Sequence, residues 1–129
     1  MNLNNKKGAA LVEMAIILPL LLLIVVGIFE FGRAMLIRNT LNNAAREGAR
    51  RAAVSPPPVN IDAFVRSAIP FNQTGLVITP NPSSPTPGSG APVTVTIMLP
   101  FHTVTGLIPV LDGMILSGQA TMRYEYVAP

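Results

Sequence analysis

Apolar residues crowd the first quarter of this 129-residue chain and then thin into periodic patterns. From Ala9 to Phe29 the sequence AALVEMAIILPLLLLIVVGIF carries a single charge, Glu13, in 21 residues. At the helical rise such a run is about 31 Å long, close to the hydrocarbon thickness of a bilayer. A soluble protein would have to bury that helix on all sides, and a chain this short lacks the mass to do so. The run predicts a membrane-spanning helix. A cleaved secretory signal competes with it, because Lys6 and Lys7 precede the run. However, the run exceeds the usual signal core of about 7–15 residues. Gly27-Ile28-Phe29-Glu30 is a poor small-x-small cleavage site, and the helical pattern continues beyond it.

Two residues stand out inside the run. Pro19 removes a backbone donor and opposes the carbonyl of Ala15, which predicts a helix kink. Glu13 is an ionisable group in an apolar segment, either snorkelling to the interface or paired within the membrane. Beyond the run, Ala34, Ile37, Leu41, Ala44, Ala45, Gly48 and Ala52 recur at helical spacing. Arg33, Asn43, Arg46, Glu47, Arg50 and Arg51 fill the other side, with Glu47 spaced to pair with Arg50 and Arg51. Ala44, Ala45, Gly48, Ala49 and Ala52 form a stripe small enough for another backbone to approach closely. The protein's own sheet and another subunit fit that stripe equally well. A single helix from Ala9 to Val54 would be about 69 Å long.

Pro56-Pro57-Pro58 ends the helix. Asn60 suits an N-cap for a short second helix, Ile61–Ile69, and Pro70 stops it. Leu76–Thr79 predicts a first strand. Residues 81–92 (NPSSPTPGSGAP) read as a mobile polar loop. Val93–Leu99 and Gln119–Val127 alternate as strands. Pro100–Leu116 is apolar but broken by Gly106, Pro109 and Gly113, and reads as an irregular connection with a turn of helix; its apolar content suits a cap on the core and, as the alternative, a partner patch. The predicted class is α+β. A long N-terminal membrane-spanning helix continues into a small head domain with a short second helix and a small antiparallel sheet. The segments are 1–8, a leader; 9–29, the anchor; 30–55, its extramembrane continuation; and 56–129, the head.

Composition removes most chemistry. The chain is 50% hydrophobic and 12% charged, about half the charge usual for a soluble domain. With no Cys and one His it offers no disulfide, no thiolate, and no multi-His metal site. The net charge of +3 rests on nine basic residues, five of them between Arg33 and Arg51. That is a local stripe, and no nucleic-acid site is expected from it. Asp62, His102, Asp112 and Glu125 are the acid–base candidates of the head, but none sits at a catalytic motif spacing. The expectation is a non-enzyme with no catalytic residue, no cofactor and no metal.

The start, Lys6-Lys7-Gly8-Ala9-Ala10-Leu11-Val12-Glu13, resembles a type IV prepilin leader. Leu18-Pro19-Leu20-Leu21, Gly27-Ile28-Phe29-Glu30-Phe31-Gly32-Arg33 and Ala44-Ala45-Arg46-Glu47-Gly48-Ala49-Arg50 extend the likeness to the TadE-like minor pilins and pseudopilins of tight-adherence (Tad/Flp) pilus loci. It covers about the first 53 residues and is loose beyond them. The resemblance implies cleavage between Gly8 and Ala9 by a prepilin peptidase on the cytoplasmic side. It implies a structural role beside other pilin subunits and pilus-assembly proteins, with the lipid bilayer as the other partner. Glu13 would then neutralise the new amine of Ala9 and set the register between subunits. Breaking a buried ion pair of that kind typically costs about 3–5 kcal/mol.

The implied location is the bacterial inner membrane, single-pass, with the N-terminus cytoplasmic and the head outside. Charge counting opposes this orientation, because Lys6 and Lys7 face Arg33, Arg38, Arg46 and Arg50 across the span. The alternatives are an unprocessed membrane-anchored assembly factor and a secreted domain with a cleaved signal.

Overall fold

The computed structural model describes residues 3–128, with side chains described from Lys7. One helix, α1 (Leu3–Ala53), runs for 51 residues, unbroken through Pro19. It begins within the leader and ends one residue before the expected Val54. Arg50 and Arg51 occupy its last turn, where cations favour the helix dipole. The order continues α2 (Asp62–Ser67), β1 (Val77–Asn81), β2 (Pro92–Phe101), a single 3-10 turn (Pro109–Leu111) and β3 (Met114–Arg123). This is the α+β arrangement of long helix, short helix and small antiparallel sheet that the pattern predicts.

The three strands form an antiparallel sheet in the order β1-β2-β3. The register sets Ile97 between Ile78 and Gly118, and Val95 between Pro80 and Ala120. Pro80 is tolerated because β1 is an edge strand. Pro100 lies past the last β1 pair, Val77 with Met98, where β2 has no neighbour on one side. Along β2 the buried residues are Val93, Val95, Ile97, Leu99 and Phe101, every second position. That face packs on α1 from Ala34 to Ala52, and Ile61, Val65 and Ile69 close the core around α2.

The helix–sheet contact is made on the helix side by small residues, with one glycine opposite them on β3. Ala44, Ala45, Ala49 and Ala52 are buried there, so the small stripe packs in the protein's own head. At Gly118 a Cβ would lie 2.4 Å from the carbonyl carbon of Leu41 and 2.6 Å from the amide nitrogen of Asn42. Strand and helix backbones touch there, and only glycine fits. At Gly48 a Cβ would meet Val65 Cγ2 at 2.8 Å, a side chain that can move.

Several boundaries differ from the sequence expectation. The third strand is Met114–Arg123 and not Gln119–Val127. Gly113, with φ of +76°, turns the chain so that Met114 pairs with Phe101, and the ladder runs ten residues from there. The alternation of Tyr124 and Tyr126 has another cause. The Glu125 and Tyr126 amides donate to the carbonyl of Ala53, and the Tyr124 hydroxyl donates to that of Ser55 at 2.7 Å. The C-terminal segment therefore leaves the sheet to satisfy the end of α1, which has orphan carbonyls. Burial pushes the Tyr124 hydroxyl above its ordinary pKa.

The second helix is shorter than Ile61–Ile69, and its cap position is Ile61, without a side-chain bond, in place of Asn60. It is held instead by the ion pair of Arg66 with Asp62 at 2.6 Å and by burial of Val65. The first strand is Val77–Asn81 in place of Leu76–Thr79, because Leu76 turns inward to the core. The second strand is Pro92–Phe101 in place of Val93–Leu99, taking in Pro92, Pro100 and Phe101 from its flanks. Glu47 pairs with Arg50 at 3.1 Å, whereas Arg51 lies over the ring of Phe64.

The two glycine contacts predict an order of damage. Gly118→Ala should destabilise the head by roughly 3 kcal/mol and Gly48→Ala by about 1 kcal/mol. Gly32→Ala, in a helix with nothing within 4 Å, should be neutral or stabilising. Thermal melting of the full chain in detergent reads the order, and Gly118→Ala melting as high as Gly32→Ala would contradict the close contact.

Candidate functional site

The first half of α1 meets almost nothing, with the head reaching it only near Gly27. From Leu11 to Val25, and again at Ile28 and Phe29, its large side chains are exposed, from 48% at Leu18 to 71% at Leu11 and Ile16, while Val26 is half-buried. An 18-residue window there has a mean hydropathy of 2.9 and none of it is buried. Helix length, apolarity and exposure together fit a single-pass membrane anchor. Gly8, Ala9, Glu13 and Pro19 all lie on this bare half. Ala9 and Glu13 are four residues apart in one helix, which puts them on one face. Glu13 is exposed, and the structure brings no head residue to it.

The second half of α1 is the wall of the head's core. The change between the two falls at Glu30, which is fully buried. Glu30 Oε1 accepts hydrogen bonds from the Val104 amide at 2.9 Å, the Thr105 amide at 3.0 Å and the Thr105 hydroxyl at 3.1 Å. Its Oε2 accepts from Arg33 Nη2 at 3.2 Å and Nε at 3.3 Å. Arg33 also donates to the carbonyl of His102, and its guanidinium lies 4.5 Å from the centre of the Phe101 ring. One carboxylate and one guanidinium thus fasten the β2–β3 loop to the helix where the bare segment ends.

The electrostatics agree with that geometry. The Thr105 amide holds the Glu30 carboxyl below its ordinary value, against the burial that pushes it up. The Thr105 hydroxyl, the Val104 amide and Arg33 lower it further. Above this clamp, His102 Nδ1 lies 3.5 Å from Asp112 Oδ1 on the exposed side of the loop. Asp112 also accepts from the Thr103 amide at 3.0 Å, which closes the neck of the loop.

Sequence reasoning quoted Glu30 but gave it no role. The signal was present. Glu30, Ala34, Ile37 and Leu41 fall at i, i+4, i+7 and i+11, so the buried stripe starts one turn earlier than its apolar members suggest. The other acid–base candidates, Asp62 and Glu125, are engaged elsewhere in the head or stand apart from this site. No group of three His, Asp or Glu gathers among the described residues to hold a metal ion.

Residues 8–50 match the family model of TadE-like proteins, the family that the N-terminal motifs resemble. The match takes in Gly8, Glu13, the whole bare segment, Glu30, Arg33 and most of the small stripe. Neither the curated proteins nor the solved structures include a match to this chain.

The clamp gives a pH dependence with a definite sign. The folded carboxyl titrates below its ordinary value of 4.5, so its stabilisation is present above that value and is lost as pH falls below it. A carbon-13 titration of the full chain in micelles should place the Glu30 midpoint below that of an ordinary glutamate; a midpoint at or above it contradicts the clamp. Glu30→Gln should lower hydrogen-exchange protection of the Val104 and Thr105 amides by about tenfold.

Proposed function

We propose that this chain, TadE-like over residues 8–50, is a minor pilin or pseudopilin of a Tad/Flp-type pilus. The TadE-like segment suggests a Tad pilus-associated protein, and the apolar helix fits a single-pass membrane anchor in such a system. One observation carries the finer reading. The family match coincides with a helix whose first half is bare along nearly all its length while its second half carries the head. A subunit destined for a helical filament core needs that division, because the bare half must exchange lipid for neighbouring subunits.

In this reading a prepilin peptidase cuts between Gly8 and Ala9. The new Ala9 amine is a cation in apolar surroundings, and a carboxylate must neutralise it. Glu13 supplies one, from the same helix face or from the adjacent subunit, and so fixes the axial register. The N-terminus is cytoplasmic, the membrane is the inner membrane, and the head lies outside. The protein acts by assembly, in a machinery of adhesion, and catalyses no reaction.

A second reading has its own support. α1 runs without a break through Gly8 and Ala9, so the scissile bond is helical. Arg33, Arg38, Arg46 and Arg50 outnumber Lys6 and Lys7 across the span. Both features favour an unprocessed, membrane-anchored assembly factor of the same machinery.

The mature N-terminus separates the two. Expressed with a prepilin peptidase, the chain should begin at Ala9 by mass spectrometry, and at Met1 without it. Gly8→Leu should retain Met1 in both cases. An intact Met1 in the presence of an active peptidase overturns the pilin reading, and a start near Glu30 would make the protein a secreted domain.

A further inference from the structure

The loop between β2 and β3 descends along α1 toward the bare segment. Phe101 stands at the level of Arg33, under the guanidinium. Val104 and Thr105 stand at the level of Glu30. Ile108 stands at Gly27, where a Cβ would lie 3.7 Å from Ile108 Cδ1. The descent from Arg33 to Gly27 is about 9 Å of helix. Gly27 belongs to the apolar run, so the loop tip overlaps the anchor in height.

The tip is apolar: Ile108 and Leu111 turn in toward α1 and the core, and the rest of its apolar surface has no cover in the protein. Val104, Leu107 and Val110 are 69%, 58% and 83% exposed. Between Gly106 and Leu111 the tip has no charged residue, and the loop's one acid, Asp112, sits at the neck. The tip also meets part of its own backbone demand. The Leu111 amide donates to the Ile108 carbonyl, the Asp112 amide to the Pro109 carbonyl, and Pro109 has no amide to satisfy. Irregular backbone facing lipid is excluded from the hydrocarbon layer but not from the interface above it. The exposed apolar surface of Phe29 and Phe31 on α1 continues at the same height. On the head side of it, Arg38 is exposed and joins no ion pair among the described residues.

We propose that the Gly106–Leu111 tip is a second membrane contact, inserting into the interfacial layer of the bilayer beside α1. The occupant is lipid because the tip is level with a segment that fits the bilayer, and because its apolar surface is continuous with that segment. The Glu30–Arg33 clamp then has a further use. It holds the loop at one depth, so the head sits on the membrane at a fixed height and tilt instead of swinging on its helix. The proposal rests on residues 9–29 spanning the bilayer.

The chain has no Cys, so single labels are easily placed. Val110→Cys, Leu21→Cys and Gln119→Cys replace exposed side chains on the tip, the anchor and the head. Each full-length variant is labelled with an environment-sensitive fluorophore and reconstituted into phosphatidylethanolamine/phosphatidylglycerol nanodiscs, open to solvent on both faces. Fluorescence is quenched with lipid-borne nitroxide and, separately, with aqueous iodide. The expected result is nitroxide quenching and loss of iodide quenching at Val110→Cys, as at Leu21→Cys, with the reverse at Gln119→Cys. Iodide quenching at Val110→Cys with lipid quenching intact at Leu21→Cys overturns the proposal and leaves the anchor standing. No lipid quenching at Leu21→Cys removes the anchor, and the proposal with it. Shielding of Val110→Cys from both quenchers, relieved at one chain per disc, means that a second copy covers the tip and also overturns the proposal.

Discussion

One helix has to serve two surroundings, and the change is made at Glu30. Below it the side chains of α1 face outward with almost no protein against them; above it they form one wall of the only extended core among the described residues. A buried carboxylate at that point is unfavourable unless all of its charge is answered. Here it is answered by two amides, a hydroxyl and a guanidinium, from the loop and from the next turn of the helix. The arrangement is satisfied only when the loop lies against α1, so a polar group specifies how the head is mounted.

The head in turn depends on the helix. Its sheet has three strands and one buried face, and that face is covered by Ala34 to Ala52. The contact is close because Gly118 lets β3 touch the helix backbone at Leu41, with alanines above and below. The far end is closed by residues 124–126, which bond to the carbonyls of Ala53 and Ser55. Helix and head are thus joined at the bottom by charge, along the middle by small-residue packing and at the top by a cap. α1 runs unbroken from the bare segment into the head, with no break in the helix between them.

Much of this is legible in the residues themselves. The apolar run Ala9–Phe29, the helical stripe from Ala34 and the alternation of Val93 to Leu99 each follow from a single period, and each appears in the fold. The sequence leaves open whether Ala44, Ala45, Gly48, Ala49 and Ala52 meet the head or another chain, because a small stripe has no address; the side chains that face Gly48 come from Ile61, Val65 and Val95, well along the chain. Tyr124 and Tyr126 alternate like strand residues, yet they serve the end of α1, and no local signal distinguishes the two uses. Asn60 has cap chemistry but stands one residue too early. Glu30 was hidden by its own charge, since a periodic reading of apolar positions skips an acid whose partners come from a loop seventy-four residues on.

Fastened at Glu30, anchor and head should move as one rigid body. Spin labels at Leu20 on the bare segment and at Gln119 on the head, in the full chain in nanodiscs, measure this by electron–electron double resonance. The native sequence should give one narrow distance distribution and Glu30→Ala a broad one. A broad or two-peaked distribution in the native chain, unchanged by Glu30→Ala, would contradict it.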